Sequence, residues 1–183
     1  MQTLIRIIEK ITDSVGGIAA LVVIPLTLAT CYEVMVRYVF GAPTIWAFEL
    51  GYTLMGIHFL LGGALTLKHR AHVRIDLIYA QLPVKIRAAI DLTLYAMLVV
   101  PALWFLTARL GEFAWGAWLS GEQTGQSAWN PPIWPLRFLI TASFGLLLLQ
   151  VVAECLKCIE ILRGRAGSDA TGDDAAVFEG VDK

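Results

Sequence analysis

Charged residues are scarce in this 183-residue chain, at 16% Lys, Arg, Asp and Glu together, against about a quarter in ordinary soluble domains. With 14 basic and 15 acidic side chains the net charge is −1, which gives nucleic-acid binding no support. Histidine and cysteine number three each. Only His58 falls inside a long apolar run, so haem held between paired histidines of this chain is not expected. His58 reads instead as a hydrogen-bonding residue between helices. Cys155 and Cys158 form a CxxC with no second pair for zinc and no βαβ setting for redox work. Cys31 lies within an apolar run, and three free thiols are expected. No phosphate-cradling glycine loop, nucleophile elbow or metal-ligating cluster is present. Neither cofactor nor metal is expected, and the chain does not read as an enzyme.

Apolar length is what the chain has. It is 57% hydrophobic, with a mean hydropathy of +0.69. A helix that crosses a bilayer needs about 20 mostly apolar residues. Four stretches qualify: Val15–Phe40, Ile45–Leu67, Ala88–Ala108 and Ile133–Ala153. The third continues in apolar character to Leu119, and the fourth opens at Pro131. A helix from Ile90 to Leu119 would be about 45 Å long at 1.5 Å per residue, longer than a hydrocarbon core of about 30 Å, so tilt or protrusion is expected. The fold expected is an all-α membrane protein: one four-helix transmembrane domain over residues 1–163 and a disordered cytoplasmic tail over 164–183. The first run is too long for the h-region of a signal peptide, about 7–15 residues, and reads as a retained helix. Before it, Leu4, Ile5, Ile7, Ile8 and Ile11 make an apolar face expected to lie in the interface before the chain turns into the membrane.

The joints carry the polar signals. Glu33 and Arg37 are spaced i,i+4 on one face of the first helix, which also contains Pro25, tolerable in a membrane helix. Gly41-Ala42-Pro43 breaks that helix, and Thr44 is expected to cap the second. Glu49 then falls near the second helix's positive end. Gly51, Gly56, Gly62 and Gly63 would let another helix approach closely. The second span stops at the basic run Lys68-His69-Arg70-Ala71-His72-Val73-Arg74. Ile75, Ile78, Tyr79 and Leu82 then predict a short interfacial helix between the second and third spans, ended by Pro83. His72 and Asp76, i,i+4 where that helix begins, are expected to pair locally. Asn130 is expected to cap the fourth span, with Pro131 in its first turn.

Eleven of the 14 basic residues (Arg6, Lys10, Lys68, Arg70, Arg74, Lys85, Arg87, Lys157, Arg163, Arg165 and Lys183) fall on the side of the termini and the second connection. The positive-inside rule places that side, and both termini, in the cytoplasm. Trp46, Trp115, Trp118, Trp129 and Trp134 fall at the opposite edge, as an aromatic belt does. Glu33, Arg37, Glu49 and Arg137 lie in the outer third of their helices. Two acids and two bases at one depth are expected to neutralise one another, since a lone charge there would cost several kcal/mol.

Arg37-Tyr38-Val39-Phe40-Gly41 with Trp46 and Glu49 resembles the first hairpin of the small membrane subunit of tripartite ATP-independent periplasmic (TRAP) transporters, the DctQ-like family. Gly63-Ala64 followed by His72-Val73-Arg74-Ile75-Asp76-Leu77 is similar to that family's motif after the second helix. Trp129, Pro131-Pro132, Trp134-Pro135 and Leu147-Leu148-Leu149-Gln150 resemble its last helix. The likeness runs over roughly residues 10–160. It implies a small permease in a bacterial inner membrane that scaffolds a large membrane subunit. A periplasmic substrate-binding protein would deliver an organic acid for ion-coupled uptake without ATP. On that reading Glu33, Arg37, Trp46, Glu49 and Arg137 serve fold and subunit contact rather than substrate binding. The alternative is a self-sufficient four-helix multidrug-type transporter with Glu33 as proton carrier. Against it, Glu33 lies near an edge with Arg37 one turn away.

Overall fold

The computed structural model describes residues 2–69 and 82–163. Among these, four helices are long and apolar enough to cross a membrane: α1 (Gln2–Val39), α2 (Ala47–Lys68), α3 (Val84–Ser120) and α4 (Trp134–Leu162). The described residues contain no strand, only an isolated bridge between Gln123 and Pro132. The all-α, four-span architecture is as expected. The interfacial helix, the basic run beyond His69, and His72 with Asp76 fall in residues 70–81, outside the described residues, as does the tail 164–183.

One end of the bundle carries the α1–α2 turn and the α3–α4 loop, here the hairpin end; the other carries the start of α1 and the end of α4, here the terminal end. α1 does not bend into the membrane after an interfacial segment. It is one helix from Gln2 through Pro25 to Val39. Ile5 and Ile8 are buried, and Glu9 pairs with Lys157 of α4 at 2.6 Å. Contact with the bundle therefore takes Ile5 and Ile8 of the expected apolar face, while Leu4, Ile7 and Ile11 stay exposed.

α3 is also longer than one bilayer. Its 37 residues reach about 55 Å at 1.5 Å each. Midway, Tyr95–Val99 form a π turn, and the Val100 N–H bonds to the Tyr95 carbonyl. The cause is Pro101, which has no N–H and would crowd the carbonyl four residues back in an α register. The wider turn keeps the helix continuous.

α4 is the hub. It packs on α1, on α2 and on both halves of α3, while α1 and α2 pair as a hairpin. Small residues fill the seams: Ala64 of α2, Ala114 and Ala117 of α3 and Ala153 of α4 are all but fully buried. Such residues let helices approach closely where lipid offers no hydrophobic drive to associate. The closest approach is at Gly16, where a Cβ would stand 2.6 Å from Leu65 Cδ2 of α2. The α2 glycines do not act this way inside the chain. A Cβ on Gly51, Gly56, Gly62 or Gly63 would meet nothing within 4 Å, because α2 turns other residues toward its neighbours.

Candidate functional site

The α1–α2 turn is built around Glu33. Its Oε1 accepts from Arg37 Nε at 2.9 Å and Nη2 at 2.5 Å. Its Oε2 accepts the Thr44 backbone N–H at 3.1 Å and also the Thr44 hydroxyl. Thr44 thus serves the turn and not α2. The helix begins at Ala47, and Trp46 before it offers no side-chain cap. The reason is position: with α2 starting at Ala47, the cap position falls to Trp46, and Thr44 lies too early to accept from the first-turn N–H groups. Gly41 takes φ +63°, a left-handed backbone that glycine adopts without cost. Trp46 stacks on Tyr32 of α1 with centroids 5.9 Å apart, closing the turn on its apolar side.

Glu49, in the first turn of α2, is buried at 1% exposure. Its Oε1 accepts the Thr124 hydroxyl at 2.8 Å, and its Oε2 has no hydrogen-bond partner among the described residues. The helix N-terminus is a favourable place for the carboxylate.

Thr124 belongs to the α3–α4 loop, which is tightly laced. Gly121 ends α3 in the left-handed conformation, as is common at helix C-termini. Thr124 N donates to Pro131 O at 3.1 Å and Ile133 N to Glu122 O at 3.0 Å. Asn130, at φ 44°, accepts from Gly125 N at 2.7 Å and donates to Gln123 Oε1 at 2.5 Å. It therefore fastens the loop and does not cap α4. That helix starts at Trp134, with Pro135 rather than Pro131 in its first turn. The lacing places Glu122 beside Arg137, which it binds through two hydrogen bonds of 2.6 and 2.7 Å. The guanidinium also sits 3.7 Å from the Phe113 ring centroid.

The five expected residues gather at one end of the bundle but in three separate settings. Glu33, Arg37 and Trp46 fasten the first turn, Glu49 anchors the loop to α2, and Arg137 pairs with the loop's Glu122. Neither arginine reaches Glu49. His58 donates from Nδ1 to the Ala19 carbonyl at 2.9 Å, the interhelical bond expected of it. That contact fixes the proton on Nδ1, because a carbonyl can only accept. Cys31, Cys155 and Cys158 form no disulfide.

A second polar assembly stands at the terminal end. Thr12 donates to Gln150 Oε1 at 3.0 Å, and Gln150 donates to Glu154 Oε1 at 3.1 Å. Lys157 joins Glu154 at 2.7 Å and Glu9 at 2.6 Å. Lys68 of α2 meets Asp13 of α1 at 2.5 Å. Sequence reasoning missed this network. Its signal was the spacing of Gln150, Glu154 and Lys157 at i, i+4 and i+7, one polar stripe on an apolar helix.

Four helices long and apolar enough to cross a bilayer mark a multi-pass helical membrane protein. The family model for the DctQ component of tripartite ATP-independent periplasmic transporters matches residues 26–160. The chain belongs to that family, the small permease components of TRAP transporters. The comparison with curated proteins gives no match.

Proposed function

We propose that the chain scaffolds the large permease subunit of a TRAP transporter in a bacterial inner membrane. A periplasmic binding protein delivers an organic acid to that large subunit for ion-coupled uptake. Both termini are cytoplasmic in this reading, supported by the bias of basic residues to the terminal end and of tryptophans to the hairpin end.

Beyond family membership, the observation that carries a scaffold role is how little of the bundle is enclosed. In its most apolar stretch α3 has 0% of its residues buried, and α2 has 11%. Four helices that cover so little of one another suit a surface made for packing on another membrane protein. The spans also lack the paired broken helices from which midplane transport sites are built. The exporter alternative needs an acid free to exchange protons, whereas Glu33 is held by Arg37 and Thr44.

Affinity capture of the tagged chain, co-expressed with a candidate large TRAP permease from the same organism, tests this reading. Co-purification of the large permease is expected, with uptake in proteoliposomes only when the chain, the large subunit and the binding protein are all present. A homodimer that transports alone would overturn it.

A further inference from the structure

One flank of α3 is unusual for a helix in lipid. The side of α3 toward α4 carries the buried Ala114 and Ala117 and Gly111, whose added Cβ would stand 3.7 Å from Thr141 of α4. The opposite stripe, Leu98, Ala102, Phe105, Arg109, Glu112 and Gly116, is exposed at every position. In its middle Arg109 and Glu112 pair at 2.8 Å with side chains 63% and 67% exposed, and the guanidinium lies 5.3 Å from the Phe105 ring centroid.

Depth makes this pair significant. Trp118 and Trp134 meet edge to face with centroids 4.5 Å apart, so these helix ends are level and mark the aromatic belt. Arg109 precedes Trp118 by nine residues, which places it about 13 Å below that belt at 1.5 Å per residue. Helix side chains lean toward the N-terminus, here away from the near surface. An exposed ion pair at that depth is costly against hydrocarbon. Above it a groove of about 430 Å³, lined by Arg109, Glu112, Phe113, Gly116, Glu122 and Arg137 among others, runs up to the loop. The exposed flank of α1 contrasts with this. Leu21, Ile24, Leu28 and Met35 are apolar and exposed, while Thr27 and Thr30 return their hydroxyls to their own helix at 2.8 Å. That flank is complete in lipid; the α3 flank is not.

We propose that the Leu98–Gly116 stripe of α3 seats a transmembrane helix of the large permease subunit, which brings a hydrogen-bonding side chain opposite Arg109 and Glu112. The proposal rests on the small-permease reading above. Ala102 and Gly116 are the small residues that admit a second helix backbone, and a Cβ on Gly116 would meet nothing within 4 Å. Arg109 supplies unspent donors and Glu112 unspent acceptors, which lipid tails cannot match.

A photo-crosslinking amino acid placed at Leu98 or Ala102, and at Leu21 or Leu28 as the α1 comparison, tests the assignment in cells that co-express the large permease. Adducts with the large permease are expected to be several-fold stronger from α3 than from α1. A second variant exchanges the charges, R109E with E112R, which keeps the pair inside the chain but inverts what the partner meets. Its capture of the large permease is expected to fall about tenfold, the loss of one interhelical polar contact, with unchanged melting of the isolated subunit. Adducts chiefly from α1, adducts only to lipid or to a second copy of this chain, or undiminished capture by the exchanged variant would each overturn the assignment. If the unsubstituted chain captures no large permease at all, the small-permease reading itself fails, a result distinct from a wrong face.

Discussion

Thr12 and Gln150 are 138 residues apart in the chain and joined by a 3.0 Å hydrogen bond in which both side chains are buried. The bond ties the first helix to the last at the terminal end, and through Gln150 it continues to Glu154 and Lys157. Removing one member strands the other in an apolar seam. Gln150→Leu is expected to lower stability by about 1–2 kcal/mol, and Thr12→Val by about 1 kcal/mol. The double variant should cost less than the sum. Thermal unfolding in one detergent across the four proteins checks this; strict additivity would mean the two side chains do not interact.

Glu49 is held by one hydrogen bond from Thr124, so shape matters more at this position than charge. Glu49→Gln retains an oxygen for the Thr124 hydroxyl and is expected to fold and to capture the large permease as the unsubstituted chain does. Glu49→Leu strands that hydroxyl and should cost about 1–3 kcal/mol. Melting temperature and complex recovery separate the two outcomes.

Arg137 combines a two-pronged pair with Glu122 and a stacked position on Phe113. Lysine reproduces the charge but neither the fork nor the plane. Because Glu122 is 46% exposed, solvent screening limits the effect, and Arg137→Lys is expected to cost about 1 kcal/mol. Faster amide exchange across residues 121–133 would accompany it.

The first turn depends on Glu33. Glu33→Ala is expected to speed amide exchange over residues 40–46 markedly. Thr44→Val, which keeps the backbone donor to the same carboxylate, should have a smaller effect. Equal effects would show that the hydroxyl carries the turn.

Some of this was legible in the residues and some was not, for physical reasons. Span number and the Glu33–Arg37 pair follow from periodicity along one helix, which sequence displays directly. Thr44 and Asn130 each fit a capping position by local rules, but α2 and α4 begin later, at Ala47 and Trp134, and only the folded turn and loop supply the partners that hold the two side chains. The same holds for Arg137, whose partner Glu122 arrives by way of a loop. The α2 glycines drew attention by their number, yet the real close approach is at Gly16, because which face of a helix meets its neighbour depends on the register between two helices. The Glu9–Lys157 contact likewise needed both ends of the chain in view.

The central place of α4 has a consequence for biosynthesis. α1 and α2 can pair as soon as both have left the ribosome, but α3 packs against α4 and makes no comparable contact with either of them. A nascent chain halted before Trp134 therefore holds the α1–α2 hairpin and a third helix whose main packing partner among the described residues has yet to be made. Synthesis of α4 is the step that turns three inserted helices into a single body.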